Sequence, residues 1–319
     1  MAEAGWRRVA RATLAATLAI AMLATVLGAG ARWSWFCDLF THFRPQLTLA
    51  FAFACAAGAL LRARALTLVA AAGLAANALY MAPVVWPAED AVMINSRPVR
   101  VVSFNVAFFN KDFAGLGPFL ESLRADAVAL QEVPPEELPA LLARMPSYPH
   151  HFLMANTGKY GVVLMSRWPL ADSRSVDLGI PGRPAAEVSV VFPDARLSVT
   201  AVHLMWPIGR DSSRQRDTQM AALAPVLAQC QGPCVAVGDF NVTRWSPHFQ
   251  DLLRNSGMRD CASGLFVPQT WPSWPLPLRI RIDQCLANSG VAVTRLAAGP
   301  TAGSDHLPTI NDLRIARRR

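Results

Sequence analysis

Cys234-Val235-Ala236-Val237-Gly238-Asp239-Phe240-Asn241 reads as a short apolar strand that breaks at a glycine and delivers two polar side chains at its end. The small and β-branched residues of Cys234 to Val237 fit a strand buried on both faces. Loops at strand ends are where rigid scaffolds commonly place reacting groups. The same design recurs along the chain. Val99 to Phe104, Ala127 to Leu130, Leu197 to His203 and Ile280 to Ala287 are apolar strand candidates. The polar residues expected at strand exits are Asn105, Glu132, His203, Asp239 with Asn241, Asp283, and Asp305 with His306.

Further strands are expected at Val162 to Ser166 and Glu187 to Phe192. Leu116 to Arg124 has helical spacing, and Ser213 to Gln229 places Met220, Leu223 and Leu227 on one helical face with Ser212 or Ser213 as its cap. Strand and helix therefore alternate, which predicts a layered α/β fold. No internal repeat or low-complexity segment interrupts it.

Around the polar residues the sequence reads Ser-Phe-Asn-Val at Ser103 to Val106, Leu-Gln-Glu-Val at Leu130 to Val133, and Gly-Asp-Phe-Asn at Gly238 to Asn241. Arg-Ile-Asp at Arg281 to Asp283 and Ser-Asp-His at Ser304 to His306 follow. Each motif alone is weak, but five in this order carry a specific signal. Together they resemble the endonuclease/exonuclease/phosphatase superfamily, over roughly Arg97 to Ile315. The resemblance implies a four-layer α/β sandwich, two packed sheets flanked by helices, that hydrolyses phosphoric esters with a divalent metal.

Attack on a phosphoester needs a cation to neutralise charge, an activated water, and donors to the nonbridging oxygens. Hard oxygen ligands suit Mg²⁺, with Mn²⁺ as the alternative. Glu132 is the leading ligand, and the resemblance implies that Asn105 and Asp305 complete or support the site. Asp239 is left between holding a second ion, positioning the nucleophile and protonating the leaving group. His306 fits the general base and Asp283 the carboxylate that orients it. Asn241 and His203 are the expected phosphate donors, with His203 also able to protonate the leaving group. Tyr160 and Arg183 are further candidate phosphate contacts. Two positions depart from the family pattern: Gln284 follows Asp283 where an aromatic or His is frequent, and Thr200 stands three rather than two residues before His203. Trp206, Trp245, Trp271 and Trp274 flank the motifs and offer faces to a base, sugar or lipid headgroup, or simply pack at the rim.

The N-terminal part is written for a different solvent. Ala12 to Ala31, Pro45 to Leu61 and Ala65 to Ala88 are free of Asp, Glu, Lys and Arg for 20, 17 and 24 positions. At 1.5 Å per helical residue each approaches the ~30 Å of a bilayer core. About three transmembrane helices are expected within residues 1–88, a linker at 89–98 around Pro87, Glu89, Asp90 and Pro98, and the catalytic domain at 99–319. Arg7, Arg8, Arg11, Arg62 and Arg64 outnumber Arg32 and Arg44 on the opposite side, which places the N-terminus inside and the catalytic domain outside. That is a multi-pass protein of the inner, cytoplasmic membrane with a periplasmic or extracellular enzyme. A cleaved signal ending at Ala29-Gly30-Ala31 is the alternative for the first span, and it exports the domain equally.

The net charge is +8, but the segment through Trp86 carries +5 of it, and without Arg314, Arg317, Arg318 and Arg319 the remainder sums to −1. A basic nucleic-acid footprint is not supported. Four of the six cysteines, Cys230, Cys234, Cys261 and Cys285, lie in the exported part, where disulfides form. Cys230 and Cys234 bracket a Gln-Gly-Pro turn compatible with a bridge, which leaves Cys261 with Cys285. The expected partners are a phosphoester substrate (lipid headgroup, nucleic acid or nucleotide) and the lipid bilayer, with no protein partner implied. The alternatives are an endonuclease acting on extracellular nucleic acid and a non-catalytic binding domain on the same fold.

Overall fold

The computed structural model describes residues 2–85, 95–153, 161–262, 264 and 267–317. The chain divides into a unit of N-terminal helices and a unit that carries every strand.

The first unit contains α1 (Ala2–Ala29), α2 (Trp35–Thr41), α3 (Arg44–Leu60) and α4 (Arg64–Val85). Two helices, Gly5–Ala29 and Arg64–Val84, are long and apolar enough to cross a membrane. The expected middle span differs: α2 and α3 meet at a 58° bend and make a third crossing only if taken together. Arg44, expected in a loop, opens α3 and is buried, donating to Asn77 at 2.9 Å, while Asn77 donates to Thr25 at 3.1 Å. At the other end of α3, Arg11 donates to the Leu61 carbonyl at 2.6 Å. Polar groups of this kind hold apolar helices in register where burial alone gives no preference.

The second unit is built on two six-stranded mixed sheets. One runs β11 (Val291–Ala298), β12 (Thr309–Ala316), β1 (Ser96–Asn105), β2 (Ala127–Gln131), β4 (Val162–Ser166), β3 (His150–Leu153). The other runs β5 (Leu170–Val176), β6 (Ala185–Val191), β7 (Arg196–His203), β8 (Cys234–Asp239), β10 (Asp283–Ala287), β9 (Arg259–Asp260). Alternate residues of each central strand enter different cores. Val99 and Val101 meet Val199, Val235 and Cys285 between the sheets. Val102, Phe104 and Leu130 turn outward onto α5 (Phe113–Ser122) and α6 (Leu138–Ala143). Val202, Ala236 and Leu286 do the same onto α7 (Arg210–Ala228) and α8 (Pro247–Ser256). Strands covered on both faces must be apolar throughout, which is why they read as continuous runs. Each fully buried Leu or Phe contributes about 1.5–3 kcal/mol. The result is the expected helix–sheet–sheet–helix sandwich.

Several expectations need correction. Strand β1 begins at Ser96, so the last three residues assigned to the linker pair with β12; Pro98 is tolerated because β2 joins β1 only from Val101. Linker residues 89–94 lie outside the described residues. Helix α7 starts at Arg210 after Gly209, whose φ of 97° ends the preceding loop. Ser212 and Ser213 are therefore within the helix rather than its cap, and Ser213 donates instead to the Pro207 carbonyl at 2.6 Å. Asp283 opens β10 rather than ending a strand, and Asp305 and His306 precede β12. Because β10 runs antiparallel to β8 with Asp283 opposite Asp239, and β12 antiparallel to β1 with Thr309 opposite Ser103, these beginnings reach the same sheet edge as the ends of β1 and β8. The disulfides are Cys230–Cys234 and Cys261–Cys285.

Candidate active site

Asp239 is the hub of the site. It ends β8 after Gly238, whose φ is 140° and where a Cβ would lie 2.0 Å from the Val202 carbonyl oxygen. Only glycine lets β8 come this close to β7 just before the acid. The buried Asp239 carboxylate accepts from the Asn241 backbone N–H at 2.8 Å through Oδ1, and from Asn105 Nδ2 at 3.1 Å through Oδ2. Two imidazoles flank the same oxygen, His203 Nε2 at 3.9 Å and His306 Nε2 at 3.8 Å.

Asn105 Nδ2 also donates to Glu132 Oε1 at 3.1 Å, so one amide holds two carboxylates together. Glu132 Oε1 lies 3.5 Å from His203 Nε2, and Oε2 accepts from the Phe108 backbone at 3.1 Å. Glu132 and Asn241 have φ of 60° and 51°, a left-handed conformation that Asn tolerates and Glu resists. Strain retained at such a position marks a side chain whose direction matters.

His306 Nδ1–H donates to Asp283 at 2.9 Å (Oδ2) and 3.2 Å (Oδ1), which leaves Nε2 facing Asp239. Burial opposes the imidazolium, but the Asp283 carboxylate outweighs it, with Asp239 and Asp305 adding to the pull, and raises His306 to about 10. Burial, reinforced by the neighbouring Asp283 charge, pushes Asp239 up to about 7. Among the described residues, acidic and imidazole groups that converge within 4.8 Å are Asp239, Asp283 and His306.

Of the predicted metal ligands, Glu132 and Asn105 adjoin Asp239, and Asp305, next to His306 in sequence, accepts from Trp271 Nε1 at 3.0 Å through Oδ2. Asn241 donates through Nδ2 to the Leu204 carbonyl at 2.9 Å. Arg183 is buried, with its guanidinium 5.1 Å from the ring centre of Trp206, which stands on the loop that follows His203. Tyr160 lies outside the described residues. Sequence reasoning assigned no role to Ser304, which donates to the Asn105 carbonyl at 2.8 Å and accepts from the His306 backbone at 3.0 Å. Thr270 was missed as well; its hydroxyl accepts from the Asp283 backbone at 3.3 Å. Gln284, the departure from the family pattern, is buried and bridges the Val242 and Arg281 carbonyls at 2.8 and 2.9 Å, bracing the Asn241 turn against Asp283. The short polar spacing of Ser304 to His306 was the available signal for Ser304; Gln284 stood out only as a departure from the family pattern, and Thr270 had no signal.

The donor set fits a hard divalent cation. Carboxylate oxygens dominate, and buried Asp239 and Asp283 crowd more negative charge than the nearby amide and imidazoles comfortably balance. This sets a pH dependence. A carboxyl raised in the folded state contributes stability that is complete below the ordinary value of 3.8 and lost as pH rises through about 7. Chelator-treated protein is therefore expected to melt at lower temperature as pH rises from 4 towards 7, and divalent cation to flatten that slope. Melting curves of Asp239→Asn decide the cause: the slope should shrink, and an unchanged slope would assign it elsewhere.

The endonuclease/exonuclease/phosphatase family model matches residues 102–306, from β1 through His306. Solved structures with the same fold include TDP2 of D. rerio complexed with a single-strand DNA product, 19% identical with a TM-score of 0.57, covering 68% of this chain and 98% of that one. An endonuclease/exonuclease/phosphatase from Beutenbergia cavernae is 23% identical with a TM-score of 0.54, covering 69% and 72%. One from Bacteroides vulgatus is 20% identical with a TM-score of 0.56, covering 69% and 99%. No curated protein matches. With its motifs on the strand ends that the match spans, the chain belongs to the endonuclease/exonuclease/phosphatase family and is a metal-dependent phosphoric ester hydrolase.

Proposed function

We propose that this protein hydrolyses a phosphodiester or phosphomonoester with Mg²⁺, or Mn²⁺ in its place, from a catalytic domain anchored in the inner membrane and facing the extracytoplasmic side. The observation that carries the chemistry is His306, fixed by Asp283 through Nδ1 with Nε2 turned to Asp239. Nε2 takes a proton from water as its oxygen attacks phosphorus, while Asp283 holds the tautomer and balances the imidazolium. Asn241 and His203 donate to the nonbridging oxygens, with Arg183 as a further contact near Trp206, and Tyr160 is kept as a candidate contact on sequence grounds. The leaving oxygen receives its proton from His203 or Asp239. Glu132, Asn105 and Asp239 would hold the cation, with Asp305 supporting from beside His306. Bound there, it would neutralise charge on the phosphate and relieve the field that keeps His306 protonated.

Membrane anchoring is supported by the apolar helices, and the exported side by the arginine distribution and two disulfides. A second reading, an endonuclease for extracellular nucleic acid, draws on the similarity to TDP2 solved with a DNA product. The small net charge beyond Trp86, +3 once the +5 of the N-terminal segment is taken from +8, weighs against it.

The test uses full-length protein in detergent, stripped with chelator and assayed on bis(p-nitrophenyl) phosphate and p-nitrophenyl phosphate. Turnover of at least one ester should be nil without metal and return on titration with Mg²⁺. Failure on both esters with Mg²⁺ and with Mn²⁺ would overturn the reading.

A further inference from the structure

The exposed apolar surface of the catalytic domain has an unusual distribution. Phe108 and Phe109 are 46% and 55% exposed on the loop that leaves Asn105. Trp206 and Ile208 are 40% and 69% exposed on the loop that leaves His203. Trp274, Leu276 and Leu278 are 54–76% exposed on the segment between Trp271, which donates to Asp305, and β10, which begins at Asp283. Among the described residues of this domain, no other large hydrophobic side chain is comparably exposed. Scattered exposed hydrophobics need no explanation, whereas their confinement to loops that share a reacting centre does.

The three loops also share a sequence pattern. Phe108-Phe109-Asn110-Lys111, Trp206-Pro207-Ile208-Gly209-Arg210 and Trp274-Pro275-Leu276-Pro277-Leu278-Arg279 each run from an aromatic residue to a basic one. Aromatic rings with Lys or Arg beside them are the composition of surfaces that settle at the headgroup level of a bilayer. The tips are held. Phe108 is tied through its backbone to Glu132, Ser213 holds the Pro207 carbonyl, and Arg279 donates to the Pro272 and Ser273 carbonyls.

We propose that this rim is a docking surface for a lipid bilayer and that the substrate is a phosphoester carried by a membrane lipid. The proposal rests on the phosphoesterase reading of the site and names the class of ester it cuts. A stacking platform for single-stranded nucleic acid is the competing occupant. It explains the aromatic residues but not Ile208, Leu276 and Leu278, which have no π-face for a base, and the chain beyond Trp86 offers a net charge of only +3, the total of +8 less the +5 before it, to a polyanion. A bilayer accommodates both aromatic and aliphatic side chains, and this chain carries helices apolar enough to enter one.

The experiment compares hexadecyl p-nitrophenyl phosphate dispersed in phosphatidylcholine vesicles with ethyl p-nitrophenyl phosphate in solution. Both esters undergo the same step: water adds to phosphorus, the bond to p-nitrophenolate breaks, and one proton is released. Full-length protein is used throughout, so any anchor is common to wild type, Ile208→Asp and the double variant Leu276→Asp/Leu278→Asp. The wild type should favour the long-chain ester, and both variants should lose that preference by about tenfold or more, since each removes apolar area from the interface. Hydrolysis of the ethyl ester should stay within about twofold, as expected of surface changes away from the reacting groups. An equal fall on both esters, no fall on either, or a selective loss of oligonucleotide cleavage would each overturn the docking surface. Absence of wild-type turnover on both esters would instead sink the phosphoesterase reading.

Discussion

Replacing His306 with alanine is expected to lower kcat on a soluble phosphoester by about 10³-fold. The imidazole is oriented for proton abstraction, because Nδ1 is committed to Asp283 at 2.9 Å and Nε2 faces the centre occupied by Asp239. Removing it leaves water without a base but leaves Glu132 and Asn105 in place, so the Mg²⁺ concentration for half-maximal activity should scarcely move. Asp283→Asn provides the finer test. Asp283 is the main group raising His306, so its neutralisation should bring the imidazole down from about 10. The base must be deprotonated to act, and the acidic limb of the pH profile should therefore shift to lower pH, even though the misoriented ring lowers the plateau. A His306→Ala enzyme within tenfold of wild type would remove His306 from the base role.

Legibility in the sequence followed what each residue does. The strands that build the two central sheet pairs are buried on both faces, so Val99 to Phe104, Ala127 to Leu130 and Cys234 to Val237 announce themselves as apolar runs. Strand β12 does not, because Asn311, Asp312 and Arg314 interrupt it; Asn311 is buried but bonded to the Val101 carbonyl, and Asp312 pairs with Arg100 at 2.6 Å. Polar satisfaction by a neighbouring strand has no local pattern. Strand direction is equally invisible. Asp283 reads as an exit residue, yet it starts β10, and the two readings give the same sheet edge only because β10 runs antiparallel to β8. The candidate reacting groups were legible because their motifs are local. Their hydrogen-bond partners were not: Asp239 accepts from Asn105, and Asp305 accepts from Trp271 through Oδ2. Such pairings span 134 residues between Asn105 and Asp239, a distance over which spacing says nothing.

The second large effect is expected at Glu132, and it separates metal binding from proton transfer. Glu132→Gln keeps the length of the side chain but removes its charge, and sets an amide where Asn105 Nδ2 now donates to Oε1 at 3.1 Å. At limiting Mg²⁺ the variant should lose about 10³-fold in kcat/KM, the several kcal/mol that charge neutralisation by a metal supplies to phosphoryl chemistry. Excess Mg²⁺ should restore part of it, because Asp239 and Asn105 remain and Mg²⁺ needs few protein ligands. His306→Ala should show no such rescue. Stability should move little or rise, because the change removes one charge from a crowded group of carboxylates. The left-handed backbone, φ 60°, remains strained for either residue, so the strain does not distinguish them. If Glu132→Gln is as Mg²⁺-responsive as wild type, the cation sits elsewhere, and the convergence of Asp239, Asp283 and His306 within 4.8 Å makes that cluster the site to test next.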